Sequence, residues 1–333
     1  MATVSHLKEL SPAEFARFVS RFACDNFLQS AEMFARYQAS GKEAYLLGNG
    51  HAAALVVELS TVHGQKLFSL PGGPILDYSS PSALATLSAF LAEVKRFLRR
   101  RHGLALLFSP NVAVPAGASA PAIPGAKALG EYIQCKWIST LDLSKVSSAD
   151  ALFRSFRKGH RYSIKYTDSR FHLETRALSR AELPILKSLA EKAGEKHGFR
   201  DQSLKYYEEM FDAFGDKLKV LATFHAGTPI AAAMFVLYGH EVVYLYSGAD
   251  PAFNKYAGSY AIQWQMLQLA LARGFPRYNF YGVRPEPGNG VFEFKAGFRA
   301  EVEELWGTYL LPLSPLGLAY AARKKYHQFG EVA

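Results

Sequence analysis

The chain has 333 residues, 49% of them hydrophobic and 14% aromatic, with 38 Lys and Arg against 29 Asp and Glu and a net charge of +9. That is long for a single core and too apolar for a disordered polymer, so two packed domains are expected. The charge favours an anionic partner (nucleic acid, a phosphorylated substrate or an anionic lipid surface), and no apolar run approaches the roughly 18 residues of a membrane span. Cys24 and Cys135 lack redox or metal spacing, and the ten histidines form no cluster, so free thiols and no metal are expected. The first ten residues hold no apolar signal-peptide core, which makes a cytoplasmic location the expectation.

Residues 12–37 read as helical. Residues 43–47 and 52–57 are apolar runs joined by Asn49-Gly50, a hairpin signal because both turn positions need positive φ. A turn at His63-Gly64 leads to a third strand, 66–70. Ser80 and Pro81 predict the start of a helix with the stripe Leu84, Leu87, Leu91, Val94 and Leu98. Lys95, Arg96, Arg99 and Arg100 lie near its negative end, Gly103 stops it, and 104–108 closes the unit as a strand. Residues 111–130, rich in Pro, Ala and Gly, predict a long surface loop.

The second half repeats the order. Helices are expected over 148–157 and 181–196, the latter behind a Ser179/Glu182 capping box with Pro184 favouring a later start. Residues 219–224 turn at Ala226-Gly227 into 230–235, and Tyr238-Gly239-His240 turns into 242–246. A helix from Ser259, carrying Ile262, Met266, Leu267 and Leu269, runs to Gly274, and strand 277–281 follows. A β-β-β-α-β unit thus occurs twice. The boundary is expected near Leu143, giving domains 1–142 and 143–312, with a basic terminal helix inside 313–333 returning to the first.

Beyond the second unit, Tyr278-Asn279-Phe280-Tyr281-Gly282 enters a polar loop and the chain re-enters as Val291-Phe292-Glu293-Phe294-Lys295, read as a strand. A lysine beside Phe294 is either snorkelling to water or aimed at an anion, because ammonium desolvation is costly.

Two copies of a mixed, mostly antiparallel sheet flanked by helices resemble the GNAT acyltransferase fold, an α+β architecture. Acetyl-CoA users of that fold place a Gly-rich turn before the main helix, where bare N–H groups cradle pyrophosphate. Here that turn is Asn254-Lys255-Tyr256-Ala257-Gly258-Ser259-Tyr260 in one copy and Asp77-Tyr78-Ser79-Ser80-Pro81 in the other, and neither suits close phosphate approach.

The chain resembles the FemABX family of aminoacyl-tRNA-dependent peptidyl transferases over nearly its whole length. The resemblance rests on Phe27-Leu28-Gln29-Ser30, Pro71-Gly72-Gly73-Pro74, the basic stretch 157–165, His197-Gly198-Phe199-Arg200, Tyr246-Ser247-Gly248-Ala249, the two segments around Gly282 and Lys295, and Trp306-Gly307-Thr308-Tyr309. No heptad run of sufficient length appears, so it is closest to short members without a coiled-coil arm.

The resemblance implies aminolysis of an aminoacyl ester, catalysed by positioning and electrostatics without cofactor, aminoacyl-tRNA being the co-substrate. It implies that Lys295 meets the tRNA end and stabilises developing charge, with Phe294 stacking on the terminal base. Arg36 and Arg200 lie near family positions for the precursor's pyrophosphate, each slightly out of register, and Tyr206 and Tyr246 match tyrosines that bind its peptide. Arg154, Arg157, Lys158, His160, Arg161 and Lys165 resemble a phosphate-tracking surface, with Arg323, Lys324 and Lys325 a second one. Ser109 stands where an acid has been considered a base, Asn279 replaces another acid, and Asp77 reads as a turn cap. The expected acceptor is a peptidoglycan precursor, lipid II or UDP-MurNAc-pentapeptide, met by a monomer in the cytoplasm or at the inner membrane face. The alternatives are another acceptor for the same donor, a twin acetyl-CoA N-acetyltransferase, and a non-catalytic RNA-binding module.

Overall fold

The computed structural model describes residues 6–24, 26–62, 64–130, 132–197 and 201–324. In chain order the first elements are β1 (Lys8–Glu9), α1 (Pro12–Val19), α2 (Ala31–Ala39), β2 (Ala44–Gly48), β3 (Ala52–Val62), β4 (Gln65–Gly72), β5 (Ile75–Leu76), α3 (Ala83–Arg99), β6 (Gly103–Pro110) and β7 (Lys127–Gly130). There follow β8 (Trp137–Asp142), α4 (Ala149–Ser155), α5 (Lys158–Ser169), β9 (Glu174–Ala177), α6 (Leu183–His197), α7 (Leu204–Phe214), β10 (Leu218–His225), β11 (Thr228–Tyr238), β12 (Glu241–Ala249), α8 (Gly258–Ala272), β13 (Arg277–Gly282) and α9 (Gly290–Gly297). The last are β14 (Glu301–Glu304), β15 (Thr308–Pro312) and α10 (Pro315–Arg323).

Local chemistry sets many boundaries. The Ser11 hydroxyl accepts Glu14 N at 3.3 Å while the Glu14 carboxylate accepts Ser11 N at 2.8 Å, closing a capping box on α1. Ala226 and Gly227 both have positive φ (48° and 79°) between paired His225 and Thr228, the mirror-image turn that matches strand twist. Helix α3 starts two residues later than the Ser80-Pro81 signal, because the hydroxyls of Ser80 and Ser82 bond each other at 2.9 Å within a preceding turn. Leu84, in its first turn, is exposed, so the buried stripe begins at Leu87.

The chain divides into two compact units. The first runs through Trp137 and resumes at Glu303; the second is Ile138–Val302. Among the described residues the first sheet has the order β1-β2-β3-β4-β6-β15-β7, with β5 on β3, and the second β14-β8-β13-β12-β11-β10-β9. Each repeat makes two antiparallel hairpin pairs and then one parallel pair, β4 with β6 and β12 with β13. The predicted boundary near Leu143 needs correction at both ends. Strand β8, expected in domain 1, pairs with β13, and β15, expected in domain 2, pairs with β6. The reason is the closing strand of each repeat, which leaves a row of backbone donors and acceptors that a strand from outside the repeat must satisfy.

In the first unit, Leu87, Phe90, Val94 and Leu98 of α3 pack on Phe68, Leu70, Leu106 and Phe108. The other sheet face, Ala105, Leu107 and Leu310, clusters with Ala321 of α10. The predicted loop 111–130 is partly core: it contains β7, Ile123 is buried, and Pro121 O accepts the Tyr309 hydroxyl at 2.8 Å. Gln29 ties two motifs together: its amide donates to Pro71 O at 2.7 Å and accepts Leu55 N at 2.7 Å. That bond fixes the turn before α2 against β3 and β4. His63, Lys325 and the remainder of the predicted terminal helix lie outside the described residues.

In the second unit, Ile262, Met266 and Leu267 of α8 join Phe235, Tyr278, Phe280, Phe156 and Phe298 in one cluster. On β12, Gly248 has no room for a side chain, since a Cβ there would overlap the Leu189 backbone of α6. Gly248→Ala should therefore destabilise the fold by about 1–3 kcal/mol, read as a lower urea midpoint at unchanged m. An unchanged midpoint would show that α6 moves aside at no cost.

Candidate active site

The site grows from a fault in the second sheet. The parallel ladder between β12 and β13 covers Glu241↔Arg277, Val242↔Tyr278 and Val243↔Asn279 and then stops, although β12 continues to Ala249 and β13 to Gly282. Both strands carry an irregularity there. Tyr244 and Tyr246 face the adjacent residues Phe235 and Met234 of β11, which makes Leu245 the extra residue of a bulge, and β13 slips against β8 between Asn279 and Gly282. Tyr281 has φ 61°, a left-handed conformation rare for a bulky residue. The Asn279 side chain supports it, accepting Tyr281 N at 2.8 Å while donating to Glu241 at 3.0 Å. In the first sheet the matching pair is bonded from Lys66↔Gly103 to Gly72↔Pro110.

Lys295 closes on this point. The strand predicted over 291–295 is instead helix α9, capped by Asn289, whose Oδ1 accepts Val291 N at 3.0 Å and Phe292 N at 3.1 Å. Five residues alternating in polarity suit either period, and the cap selects the helix. Lys295 is therefore neither at a strand end nor snorkelling. It is 5% exposed, and its Nζ donates to Gly282 O and, at 3.4 Å, to Tyr281 O. Two carbonyl dipoles replace part of the water lost by the ammonium.

The start of α5 holds α9 in place. Arg157 N donates to Gly297 O at 2.9 Å, and the Arg157 guanidinium bonds Glu293 at 2.8 Å. His160 donates from Nε2 to Phe294 O at 2.8 Å, and a side chain at Gly297 would overlap the His160 ring. Phe294 is half-buried, edge-on to Tyr260 (5.0 Å between centroids) and Phe298 (5.3 Å). Arg161 bends back onto the carbonyls of Phe156 and, at 3.1 Å, Arg154. Of the predicted phosphate-tracking set, Arg157 and Arg161 thus hold protein groups, while Lys158 and Lys165 are exposed.

Tyr206 of α7 and Tyr246 of β12 come together as predicted partners of one ligand would, hydroxyl to hydroxyl at 3.1 Å with rings edge-on at 5.6 Å. Burial, reinforced by Tyr206, pushes the Tyr246 phenol well above its ordinary pKa, with Tyr281 acting in the same direction. Tyr207 packs against Tyr246 and donates to Asp201, which also accepts Lys187 at 3.0 Å. In the first unit, Arg36 is buried in α2 with its guanidinium 4.6 Å from the Tyr37 ring centre, not a surface charge. Arg200 lies outside the described residues. Ser109 is buried and bonds Gly307 O at 3.3 Å, while Asp77 is exposed and caps its turn through Ser79 N at 3.0 Å. Sequence reasoning counted His160 among the phosphate-tracking groups, whereas it is buried and holds Phe294 O, and it missed the Tyr207–Asp201 pair and the left-handed turn at Tyr281.

The turn before α8 bears on cofactor chemistry. Residues Pro251–Tyr256 form a short 3-10 turn, Ala257 is left-handed, and a Cβ on Gly258 would lie 3.0 Å from Ile230. The single glycine there serves packing on β11. Among the described residues no group of three His, Cys, Asp or Glu is placed to hold a metal ion.

The FemAB family sequence profile matches residues 10–120, 125–226 and 220–326. The chain belongs to the FemAB family. Aminoacyltransferase FemA of Staphylococcus aureus (strain MRSA252) is 26% identical over 417 aligned residues, covering 95% of this chain and 97% of that protein. The FemX crystal structure superposes with a TM-score of 0.81 at 16% identity, over 96% of this chain and 100% of that one. A tandem GNAT protein from the clavulanic acid biosynthesis pathway gives 0.57 at 10% identity, over 93% and 99%. The fold is accordingly two GNAT-like domains.

His160 offers a check on the α5–α9 clamp. Burial lowers its pKa below the ordinary 6.5, against a smaller raising effect of the Phe294 carbonyl. The unfolded chain then binds the proton more readily, so the His160 contribution is intact above pH 6.5 and is lost as pH falls through the lower folded value. His160→Gln should flatten the fall in urea midpoint between neutral pH and about pH 5; an unchanged slope would remove His160 as its source.

Proposed function

We propose that this FemAB-family protein moves an aminoacyl group from aminoacyl-tRNA to an amine on the stem peptide of a peptidoglycan precursor, lipid II or UDP-MurNAc-pentapeptide. As a member of that family it is an acyltransferase. The observation that carries the reading is the buried Lys295 ammonium, held by two carbonyls where β12 and β13 part.

The chemistry asks for little more than position and charge. The neutral stem-peptide amine attacks the ester carbonyl, an N–C bond forms and an oxyanion develops; the C–O bond to the ribose then breaks, and the proton lost by the amine nitrogen ends on the departing ribose oxygen. A fixed cation in a site of low water content stabilises that charge far better than in bulk water. Lys295 fills this role, donating to the oxyanion or to the departing ribose oxygen. Tyr206 and Tyr246 bind the acceptor peptide: burial keeps the Tyr246 phenol protonated at neutral pH, hence a hydrogen-bond donor. Arg36 is the first unit's candidate contact for the precursor's pyrophosphate. Phe294 stacks on the terminal adenine and, with Lys158 and Lys165, contacts the tRNA. The tight α8 turn, lacking a Gly-rich phosphate cradle, supports an aminoacyl-tRNA donor over acetyl-CoA.

The reading is tested by incubating the protein with charged tRNAs and UDP-MurNAc-pentapeptide and weighing the product. A gain of one aminoacyl residue is expected, and acetyl transfer from acetyl-CoA with no aminoacyl gain would overturn the proposal. Lys295→Ala should lower kcat about 10²–10³-fold while precursor affinity is retained. Tyr246→Phe should instead act mainly on the KM for the precursor; a pure kcat effect would move Tyr246 to the donor side.

A further inference from the structure

Past the last rung between β12 and β13, a second polar group stands at the gap where Lys295 is held. On β12 the residues are buried from Glu241 to Val243 and half-buried from Tyr244 to Ser247, and on β13 Tyr281 and Gly282 are half-buried too, so the sheet becomes accessible where its ladder ends. The two faces of the gap differ. Tyr246 pairs with Met234 and turns to Tyr206 and Tyr207 of α7. Tyr244 and Ser247 pair with Phe235 and Ala233, members of the core cluster under α8, and lie on the opposite face. Tyr244 meets Phe280 with ring centres 6.3 Å apart, and Tyr281 adds to the raising effect of burial and Tyr206 on the Tyr246 phenol. One residue further along each strand, Ser247 comes level with Gly282, whose carbonyl holds Lys295.

A file of polar groups fixes the way in which the Ser247 hydroxyl can act. The Tyr278 hydroxyl, buried in the core, donates to Gln263 Oε1 at 2.6 Å, which commits that oxygen and leaves the amide nitrogen for the other side. Gln263 is fully buried, and its Nε2 makes no hydrogen bond of ordinary geometry among the described residues. It nevertheless acts on Tyr244: burial raises that phenol's pKa, and hydrogen bonding by Ser247 and Gln263 opposes the rise. The Tyr244 hydroxyl in turn donates to Ser247 Oγ at 2.6 Å. Among the described residues Ser247 Oγ has no other partner, so with one lone pair taken by Tyr244 its own proton is left to donate. Accepting a hydrogen bond also makes a hydroxyl a stronger donor. A phenol that donates to the serine is not a base for it, so Ser247 lacks the partner that a nucleophile needs.

We propose that Ser247 is a catalytic residue of aminoacyl transfer, its hydroxyl donating to the oxyanion from the β12 side of the gap while the Lys295 ammonium acts from the β13 side. Tyr244 and Gln263 are positioning residues, which occupy the serine's lone pair and so turn its proton into the gap. The inference rests on the reaction described above: the acceptor amine, bound by Tyr206 and Tyr246 on the α7 face, adds to the ester carbonyl, and the carbonyl oxygen gains charge as the N–C bond forms. Ser247 keeps its proton throughout and forms no bond to carbon. A neutral donor supports the anion without a second positive charge beside Lys295, which would drive the lysine toward its uncharged form.

The test compares the full wild-type chain with Ser247→Ala, Ser247→Thr and Tyr244→Phe, using charged tRNA and UDP-MurNAc-pentapeptide. Ser247→Ala should lower kcat about 10²-fold with the KM of each substrate within about twofold, and Ser247→Thr, which keeps a hydroxyl, should recover most of that loss. Tyr244→Phe should lower kcat about tenfold, because the serine proton can then turn away from the gap. An RNA 3′ end carrying a tetrahedral phosphonate in place of the ester carbonyl should bind Ser247→Ala more weakly by about the same factor as kcat falls, while uncharged RNA binds as before. The proposal is overturned, with aminoacyl transfer left standing, if Ser247→Ala keeps kcat within about twofold of wild type, if its loss lies in KM or the urea midpoint alone, or if it binds the phosphonate undiminished. A Tyr244→Phe chain with undiminished kcat, or an acyl group trapped on Ser247, overturns it equally. A wild-type chain that transfers no aminoacyl residue overturns the reading of the reaction, and this proposal with it.

Discussion

A single ammonium bonded to two consecutive backbone carbonyls organises the second half of this protein. Lys295 reaches Tyr281 O and Gly282 O only because β13 slips at its end and Tyr281 takes a left-handed conformation. Such a backbone persists where its surroundings over-determine it. Asn279 holds Tyr281 N, Glu241 holds Asn279, and the α5–α9 clamp holds the helix from which Lys295 projects. The charge is held in a buried place, and a positioned cation there acts more strongly on a developing anion than it would in water.

The duplicated modules show how one topology supports two uses. Both sheets place a parallel strand after the main helix and then borrow an antiparallel strand from beyond the repeat. The first sheet stays zipped through Gly72↔Pro110, braced by Gln29 across β3 and β4 with Gly73 packed against it. The second sheet parts after three pairs and gathers Tyr246, Tyr281 and Lys295 at the opening. The positions of the bulges, not a different strand order, separate the two.

The motifs carried by resemblance acquire physical reasons of two kinds. Tyr246-Ser247-Gly248-Ala249 combines a buried phenol paired with Tyr206 and a glycine that admits α6. Lys295-Ala296-Gly297-Phe298 combines the cation with a glycine that admits His160 and a phenylalanine in the aromatic cluster. The basic stretch 157–165 divides likewise: Arg157 and Arg161 bind protein groups, and Lys158 and Lys165 face water. His160, one more basic group of that stretch when read from sequence, becomes a clamp on Phe294 O only once α9 faces it.

Local pattern by itself determined the repeated β-β-β-α-β order, the Ala226-Gly227 turn and the α8 helix, because each depends on neighbours within a few residues. The family resemblance added Lys295, Tyr206 and Tyr246 as candidates. Tertiary structure alone decided that β8 and β15 complete sheets other than those nearest in sequence and that Lys295 is buried on backbone carbonyls. A short run with alternating polarity fits two periods, which the Asn289 cap settles for 291–295, but an unsatisfied strand edge accepts any strand brought to it. Only the packing of distant segments removes that second degeneracy, since the strands that complete each sheet are dozens of residues away along the chain.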